Sequence, residues 1–236
     1  MMSDVNVAFT STAYGPLWAP AVSSWLKAIA FASRHFTVQH IGKIGGSGVT
    51  DRQYTHQAEN QLVADFLDHP DMTHLFMTEA DMILPPDTIV KLLAMDRDMA
   101  SGVYFLRQAD PALRGQACLY AKPKLTERGS YGHLPVSIFP QDKPFRCEAA
   151  GLGCVLFKRH IFEGPNAVKF PWFDLSAEHY GSDMYFYTKA RDAGFELWVD
   201  PTVQCDQIDY YTTTIEDYRK RLTNPDFKHT GYIIGG

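Results

Sequence analysis

No apolar run in this chain of 236 residues approaches the roughly 20 residues that a membrane-spanning helix needs. The N-terminus lacks a basic stretch followed by an apolar signal core, so the expectation is a soluble, unexported, cytoplasmic protein with no membrane partner. Cysteine is scarce as well. Cys118, Cys147, Cys154 and Cys205 are scattered among strand-like segments without the close pairing that zinc requires, which predicts reduced and mostly buried thiols. Neither sign of charge dominates. With 22 basic against 27 acidic residues the formal charge is -5, which removes any global electrostatic footprint for nucleic acid or an anionic membrane. Clusters as small as Arg219, Lys220 and Arg221 read as solvated faces. The nine histidines show no helical metal spacing, and there is no internal repeat, low-complexity tract or linker. At 45% hydrophobic residues the chain can bury a substantial core, and one compact unit is expected.

What the chain does hold is an alternation of strand and helix patterns. VNVAFT (5 to 10) is a short run rich in β-formers that ends in a loop, and SSWLKAIAFASR (23 to 34) has helical spacing through Trp25, Leu26, Ile29 and Ala30. FTVQHI (36 to 41) reads as a second strand. A helix follows with Leu62, Val63, Phe66 and Leu67 on one face. HLFMT (74 to 78) is continuously apolar, as a strand buried on both faces would be. DTIVKLLAM (87 to 95) reads as a helix capped by Asp87, and MASGVYF (99 to 105) as a fourth strand. Such an order argues for an open, mainly parallel α/β sheet. From 115 to 157 several strand-like runs occur with little helical periodicity, which predicts partly antiparallel pairing. A helix from about Ser182 to Ala193, stopped by Gly194, precedes the strand FELWVD (195 to 200). The loop GKIGGSG (42 to 48) fits neither the Walker pattern nor G-x-G-x-x-G and reads as a flexible turn.

THLFMTEADMILPPDTIV (73 to 90) carries the chemistry. Its apolar run ends in two carboxylates one residue apart, Glu79 and Asp81, ahead of Pro85 and Pro86. Ligands of open α/β sheets sit beyond the carboxyl ends of the strands, and residues i and i+2 of an extended segment point to the same side. Hard oxygens converging there suit Mg²⁺ or Mn²⁺, which can in turn neutralise a diphosphate. A solvated turn accounts for the same two residues, because E-x-D is a common pattern.

Four segments in order, QAENQLVADFL (57 to 67), THLFMTEADMILPPDTIVKLLAMDRDMASGVYF (73 to 105), AAGLGCVLFKRHIF (149 to 162) and GSDMYFYTKARDAGFELWVDPTV (181 to 203), resemble the GT-A glycosyltransferases. The likeness is greatest to compact family-2-like members, including those common in bacteriophage genomes, and covers most of residues 5 to 208. It implies one GT-A α/β domain with a mainly parallel open sheet and a smaller antiparallel part. Within it, a nucleotide-binding half would occupy about 1–105, an acceptor and catalytic half about 106–210, and a C-terminal tail 211–236. It also implies hexosyl or pentosyl transfer from a nucleotide sugar, a UDP-sugar first, with Mn²⁺ or Mg²⁺ and with inversion. The acceptor would be a glycan, or a modified DNA base if the chain is phage-encoded.

The same resemblance assigns residues. Glu79 and Asp81 take the place of the family's D-x-D, with Asp81 the direct metal ligand; the glutamate departs from the pattern by one methylene. The family's catalytic carboxylate falls on Asp183, although Ser and Asp at a helix start also suit capping, and Ser182 reads as a plain cap. Gln207 stands where many relatives carry a metal-binding histidine, and Asp206 beside it is either a substitute ligand or part of a solvated loop. Thr10 and Ser11 match the place where base and ribose are held, with Tyr14 and Trp18 as stacking or packing aromatics. Asn60 lies in the A-x-N-x-L-V helix, where Glu59 replaces an arginine and Arg52 is the candidate to supply the missing charge. Gly151 and Gly153 either let the backbone approach sugar or acceptor or form a bulge. Trp172, in a loop that also holds Phe173, His179 and Tyr180, either contacts carbohydrate or seals the core. Two alternatives stay open: a nucleotidyltransferase, which lacks its G-G-x-G-T-R-like start here, and a non-catalytic nucleotide- or carbohydrate-binding protein on a GT-A scaffold, which fits the departures at Glu79 and Gln207.

Overall fold

A computed structural model of the protein describes residues 5–13, 17–41, 54–107, 115–125, 131–175, 181–208, 214–225 and 232–233. The first half follows the expected alternation: β1 (Asn6–Thr12), α1 (Ala19–Ala32), β2 (Thr37–His40), α2 (Thr55–Leu67), β3 (His74–Glu79), a two-residue β4 (Met82–Ile83), α3 (Thr88–Ala94) and β5 (Met99–Val103). The second half adds β6 (Leu119–Leu125), β7 (Tyr131–Ile138), β8 (Phe145–Cys147), β9 (Ala149–Ala150) and β10 (Cys154–Lys158). After these come α4 (Ser182–Asp192), β11 (Leu197–Gln204), β12 (Asp206–Gln207), α5 (Ile215–Thr223) and β13 (Tyr232–Ile233).

Seven strands form the central sheet in the order β2-β1-β3-β10-β5-β11-β8. β1 pairs in parallel with β2 and β3, and β5 with β11. β10 is antiparallel to both of its neighbours, and β8 is antiparallel to β11. A second sheet, β13-β7-β6-β9, and the ribbon β12-β4 complete the mixed α/β architecture. Because β10 inserts between β3 and β5, the segments on either side of residue 105 interlock in one sheet.

Two cores flank that sheet, and the two-residue strand period explains them. Leu75 and Met77 of β3, with Val155 and Phe157 of β10, face Leu62 and Phe66 of α2 and Phe186 of α4. Phe76 and Leu156 point the other way, towards Trp25 of α1 and Ile89 and Leu92 of α3. The four cysteines are free and buried, as expected. Asp87 makes no capping hydrogen bond to α3; its carboxylate pairs instead with Lys91 at 3.0 Å. Gly194, at φ 92°, supplies the left-handed residue that ends α4.

Within the segment 211–236, the described residues 214–225 and 232–233 pack on the rest of the fold. Thr214 and Asp217 form a capping box that starts α5, with the Asp217 Oδ2 accepting the Thr214 N–H at 2.8 Å. One turn in, the buried Tyr218 ring stacks on Phe139 and Phe105 at centroid distances of 4.8 and 5.5 Å. Gly115, at φ 78°, lies against the Asp217–Tyr218 backbone where a Cβ has no room. Tyr218→Ala is therefore expected to cost about 3–5 kcal/mol in urea unfolding, and Tyr218→Phe, which keeps the ring, less than about 1.5 kcal/mol. Equal losses from the two variants would contradict a packing role.

Candidate functional site

The acidic turn is held from three sides. At the end of β3, Glu79 pairs with Thr12 of β1, whose carbonyl accepts the Ala80 N–H at 2.8 Å. From α1, the Trp25 indole donates to the Met82 carbonyl at 2.9 Å and the Ser24 hydroxyl accepts the Leu84 N–H at 3.0 Å. From the far end of the chain, β12 pairs with β4, and the Asp81 carbonyl accepts the Ile208 N–H at 2.8 Å. The turn is thus fixed before any ligand arrives.

Into this frame the structure brings Glu79, Asp81, Gln207 and Asp183. Asp81 is buried, and its Oδ2 accepts the Gln207 Nε2–H at 3.3 Å and pairs with the Arg107 guanidinium at 3.2 Å. That contact orients the amide: with its NH₂ on the carboxylate, the Gln207 Oε1 turns away, buried and without a hydrogen-bond partner. Burial pushes the Glu79 carboxyl up to about 7, the charges of Asp81 and Asp183 push it further in the same direction, and Arg107 opposes them. Burial likewise raises Asp183 to about 6, against backbone N–H groups that favour its charge; Oδ1 accepts the Met184 N–H at 2.8 Å. Among the described residues no group of three or more His, Cys, Asp or Glu is disposed to hold a metal ion. The oxygen donors at the turn are the Glu79 and Asp81 carboxylates, and Gln207 presents its N–H to Asp81 rather than its oxygen, so these residues fit a magnesium-like ion only as one that draws most of its shell from phosphate oxygens and water.

Two further residues shape the site. Glu59 is 3% exposed on the inner face of α2, hydrogen-bonds the Ser182 hydroxyl, and has its Oε2 without a partner. Burial raises its carboxyl to about 8, with Asp183 and Glu79 adding to the shift. Ser182 is therefore not the helix cap: Gly181 holds that position, and no side chain caps it. A Cβ on Gly181 would sit 2.5 Å from the Asp183 Oδ1, so glycine there leaves room for the carboxylate.

Other residues singled out in the sequence are occupied elsewhere. The Thr10 hydroxyl donates to the Phe76 carbonyl inside the sheet at 3.0 Å, whereas the buried Ser11 Oγ has no partner. Asn60 is a loop staple: its Oδ1 accepts the N–H groups of Trp172 and Phe173 at 2.9 and 3.2 Å, and its Nδ2 donates to the Phe173 carbonyl at 2.6 Å. Trp172 seals the core, its indole bonded to the Val168 carbonyl and its ring edge-on to Phe162. Gly151 and Gly153 are buried against Tyr104, whose hydroxyl accepts the Gly153 N–H at 3.2 Å, so their missing side chains admit a tyrosine ring rather than a sugar. Asp206 alternates to the opposite side of β12 from Gln207; burial raises its carboxyl, and the charge it feels is that of Asp217. Trp18 is half-exposed at the start of α1. Arg52, Tyr14, His179, Tyr180 and the loop 42–48 lie outside the described residues.

Arg107 and Gly181 went unread in the sequence, and Glu59 was read only as a residue in the place of an arginine. Arg107 closely follows β5, where the carboxyl-end rule already applied. Glu59 lies three, four and seven residues before Leu62, Val63 and Phe66, a charge within an apolar stripe. Because Glu59, Glu79 and Asp183 are all raised above their ordinary range, the folded chain holds protons that the unfolded chain releases. Stability therefore falls as pH rises from about 4 to about 8. Glu59→Gln keeps the shape and a partner for Ser182 while removing the charge. It should stabilise the fold by on the order of a few kcal/mol near pH 8 and change little near pH 5, read from thermal unfolding at each pH. An effect independent of pH would refute the assignment.

No protein-family model matches the chain, and no curated protein does. Solved structures do. A197 from STIV is similar with a TM-score of 0.61 and 16% identity, over 90% of this chain and 92% of that one. GalNAc-T7, in a crystal structure with UDP, GalNAc and Mn²⁺, is similar with a TM-score of 0.53 and 13% identity over 94% of this chain; the chain spans 48% of that protein. At such identities the likeness is one of fold, and it is the GT-A fold of glycosyltransferases that the sequence led one to expect.

Proposed function

We propose that this protein is a metal-assisted glycosyltransferase that moves a sugar from a nucleotide diphosphate donor, a UDP-sugar first, to an acceptor hydroxyl. One observation carries the reading: Glu79 and Asp81 stand together at the carboxyl end of β3, with Asp183 near enough that its charge acts on Glu79. Asp81 and Glu79 would hold Mg²⁺ or Mn²⁺. When bound, the ion neutralises charge on the leaving diphosphate. Arg107, its side chain 54% exposed, is placed to transfer its guanidinium from Asp81 to phosphate oxygens. Ser11, with a free buried hydroxyl at the end of β1, would face the nucleotide. Asp183 takes the proton from the acceptor hydroxyl as that oxygen attacks the anomeric carbon opposite the departing diphosphate, which gives inversion. Its raised carboxyl is a better base for that step than an ordinary aspartate.

A second reading, a non-catalytic GT-A scaffold that binds nucleotide or carbohydrate, is favoured by the Arg107–Asp81 contact and the Gln207 N–H, which already neutralise and solvate the carboxylate a metal would need.

Incubation with Mn²⁺ and a panel of nucleotide sugars separates the two. Release of free nucleoside diphosphate, lost by about 100-fold or more in Asp81→Asn and in Asp183→Asn, is the expected result. Tight donor binding without turnover would sink the transferase in favour of the scaffold, and pyrophosphate released from a nucleoside triphosphate would make the protein a nucleotidyltransferase. Since Asp183 must be ionised to act, kcat should rise with pH through about 6 and level off above it. Gly181→Ala should lower kcat while leaving donor binding intact, because the added methyl displaces the Asp183 carboxylate. A pH-independent kcat, or an unaffected Gly181→Ala, would remove Asp183 from the chemistry.

A further inference from the structure

We propose that the cleft between the outer face of α2 and the 169–175 loop is a carbohydrate subsite, with Phe170 as its stacking platform, that holds sugar units of the acceptor beyond the one that reacts. The assignment to the acceptor rests on the transferase reading; the affinity for sugar does not.

The loop is built with unusual rigidity around an exposed ring. Lys189 of α4 donates from Nζ to the carbonyls of Lys169 and Pro171 at 2.6 and 2.7 Å, one on each side of Phe170. Asn60 of α2 fixes the next two residues through the three hydrogen bonds described above. Trp172 and Phe173 are thereby driven into the core, while Phe170 stays 70% exposed, at right angles to the Trp172 ring with centroids 5.4 Å apart. An aromatic ring that is held by its backbone and still left in water loses little entropy when it binds. Large apolar side chains exposed together mark a binding surface. At the start of α2, Tyr54 is exposed and stacks on His56 at 5.8 Å. Leu175 extends the exposed surface past Asp174.

Polar groups line the space between these rings. The cleft encloses about 380 Å³ and is bordered by His56, Gln57, Gln61, Phe170 and Asp174. Gln57 and Gln61 are exposed amides on adjacent turns, and the His56 Nδ1 is buried without a hydrogen-bond partner. An apolar platform rimmed by amides, a carboxylate and an imidazole matches a pyranose, which has an apolar C–H face and an edge of hydroxyls that both donate and accept. A nucleotide or other polyanion is a poorer fit to the described lining, because Asp174 contributes negative charge and no lysine or arginine is among the described residues that border the cleft. The location suits an acceptor. α4, which pins this loop through Lys189, carries Asp183 in its first turn, and α2, whose outer face lines the cleft, carries Glu59 against Ser182 on its inner face.

Binding can be tested without donor or metal. The full chain is titrated with lactose, cellobiose, maltose and diacetylchitobiose while the backbone amide resonances of Trp172 and Phe173 are followed. At least one disaccharide should shift both. Phe170→Ala should weaken that binding about tenfold, Phe170→Tyr should preserve it, and Asp81→Asn should leave it unchanged. Phe170 is exposed, so its removal should not unfold the chain, and unchanged thermal unfolding confirms this. If none of the four disaccharides shifts the resonances, or if Phe170→Ala binds as tightly as the wild type, the subsite is wrong even where nucleoside diphosphate release proceeds. Sedimentation that shows a dimer split by Phe170→Ala would make the patch a self-interface and overturn the proposal equally. Sugar binding in a protein that turns over no donor would keep the subsite and sink only the transferase.

Discussion

Carboxylates crowded together away from water repel one another, and the carboxyl end of this sheet is organised around that repulsion. Glu59, Glu79 and Asp183 are each raised by burial first, and Glu79 and Glu59 further by their neighbours' charges. Against them stands the half-exposed guanidinium of Arg107, bonded to Asp81. Every unit by which such a group is raised corresponds to about 1.4 kcal/mol favouring its neutral form. The arrangement persists because the turn's backbone is tied to β1, to α1 and to β12 independently of its charges. A fold selected only for stability would have no reason to place three carboxyls there. A site that must attract a divalent ion, or a proton, has that reason.

Gln207 shows how one side chain sets the character of the turn. A histidine at this place would offer a nitrogen lone pair to a metal. The amide instead donates its N–H to Asp81 and leaves its oxygen buried without a partner. Both atoms are fixed by the single contact at 3.3 Å. The departure from the histidine pattern therefore puts an N–H donor, rather than a lone pair, against the Asp81 carboxylate.

Much of this could be read in the sequence because it depends on period and position. HLFMT, continuously apolar, is the central β3, and the acidic pair lies at its carboxyl end where the sheet rule puts ligands. Asp183 falls in the first turn of α4 as the segment order implied. The roles of Asn60, Gly151 and Gly153 were not legible, since each depends on a partner far away in the chain, the loop at 172–173 or the Tyr104 ring, whereas for Trp172 core sealing was one of the two readings the sequence left open. The short ribbon β4–β12 was hidden for the same reason, because two-residue strands carry no periodicity. α5 was missed differently. It is short and mostly polar, with only Tyr218 fully buried, yet Ile215, Tyr218 and Leu222 fall at helical spacing and pack on the core, so that stripe and the capping box at Thr214 and Asp217 were both signals in the sequence.

The helix α2 shows why site and cleft belong together. Its inner face puts Leu62, Val63 and Phe66 into the core and Glu59 against Ser182. One residue on, Asn60 reaches sideways to the loop that presents Phe170, while Gln57 and Gln61 look outward. A shift of α2 along its axis by even part of a turn would therefore move the carboxyl behind Asp183 and the platform beside the cleft in concert. Lys189, on the helix that carries Asp183 in its first turn, clamps the same loop from the other side. Whatever occupies the cleft thus touches α2 and the loop that Lys189 of α4 holds. On the proposed reading, occupancy there would align the acceptor with Asp183 without requiring any residue of the acidic turn to move.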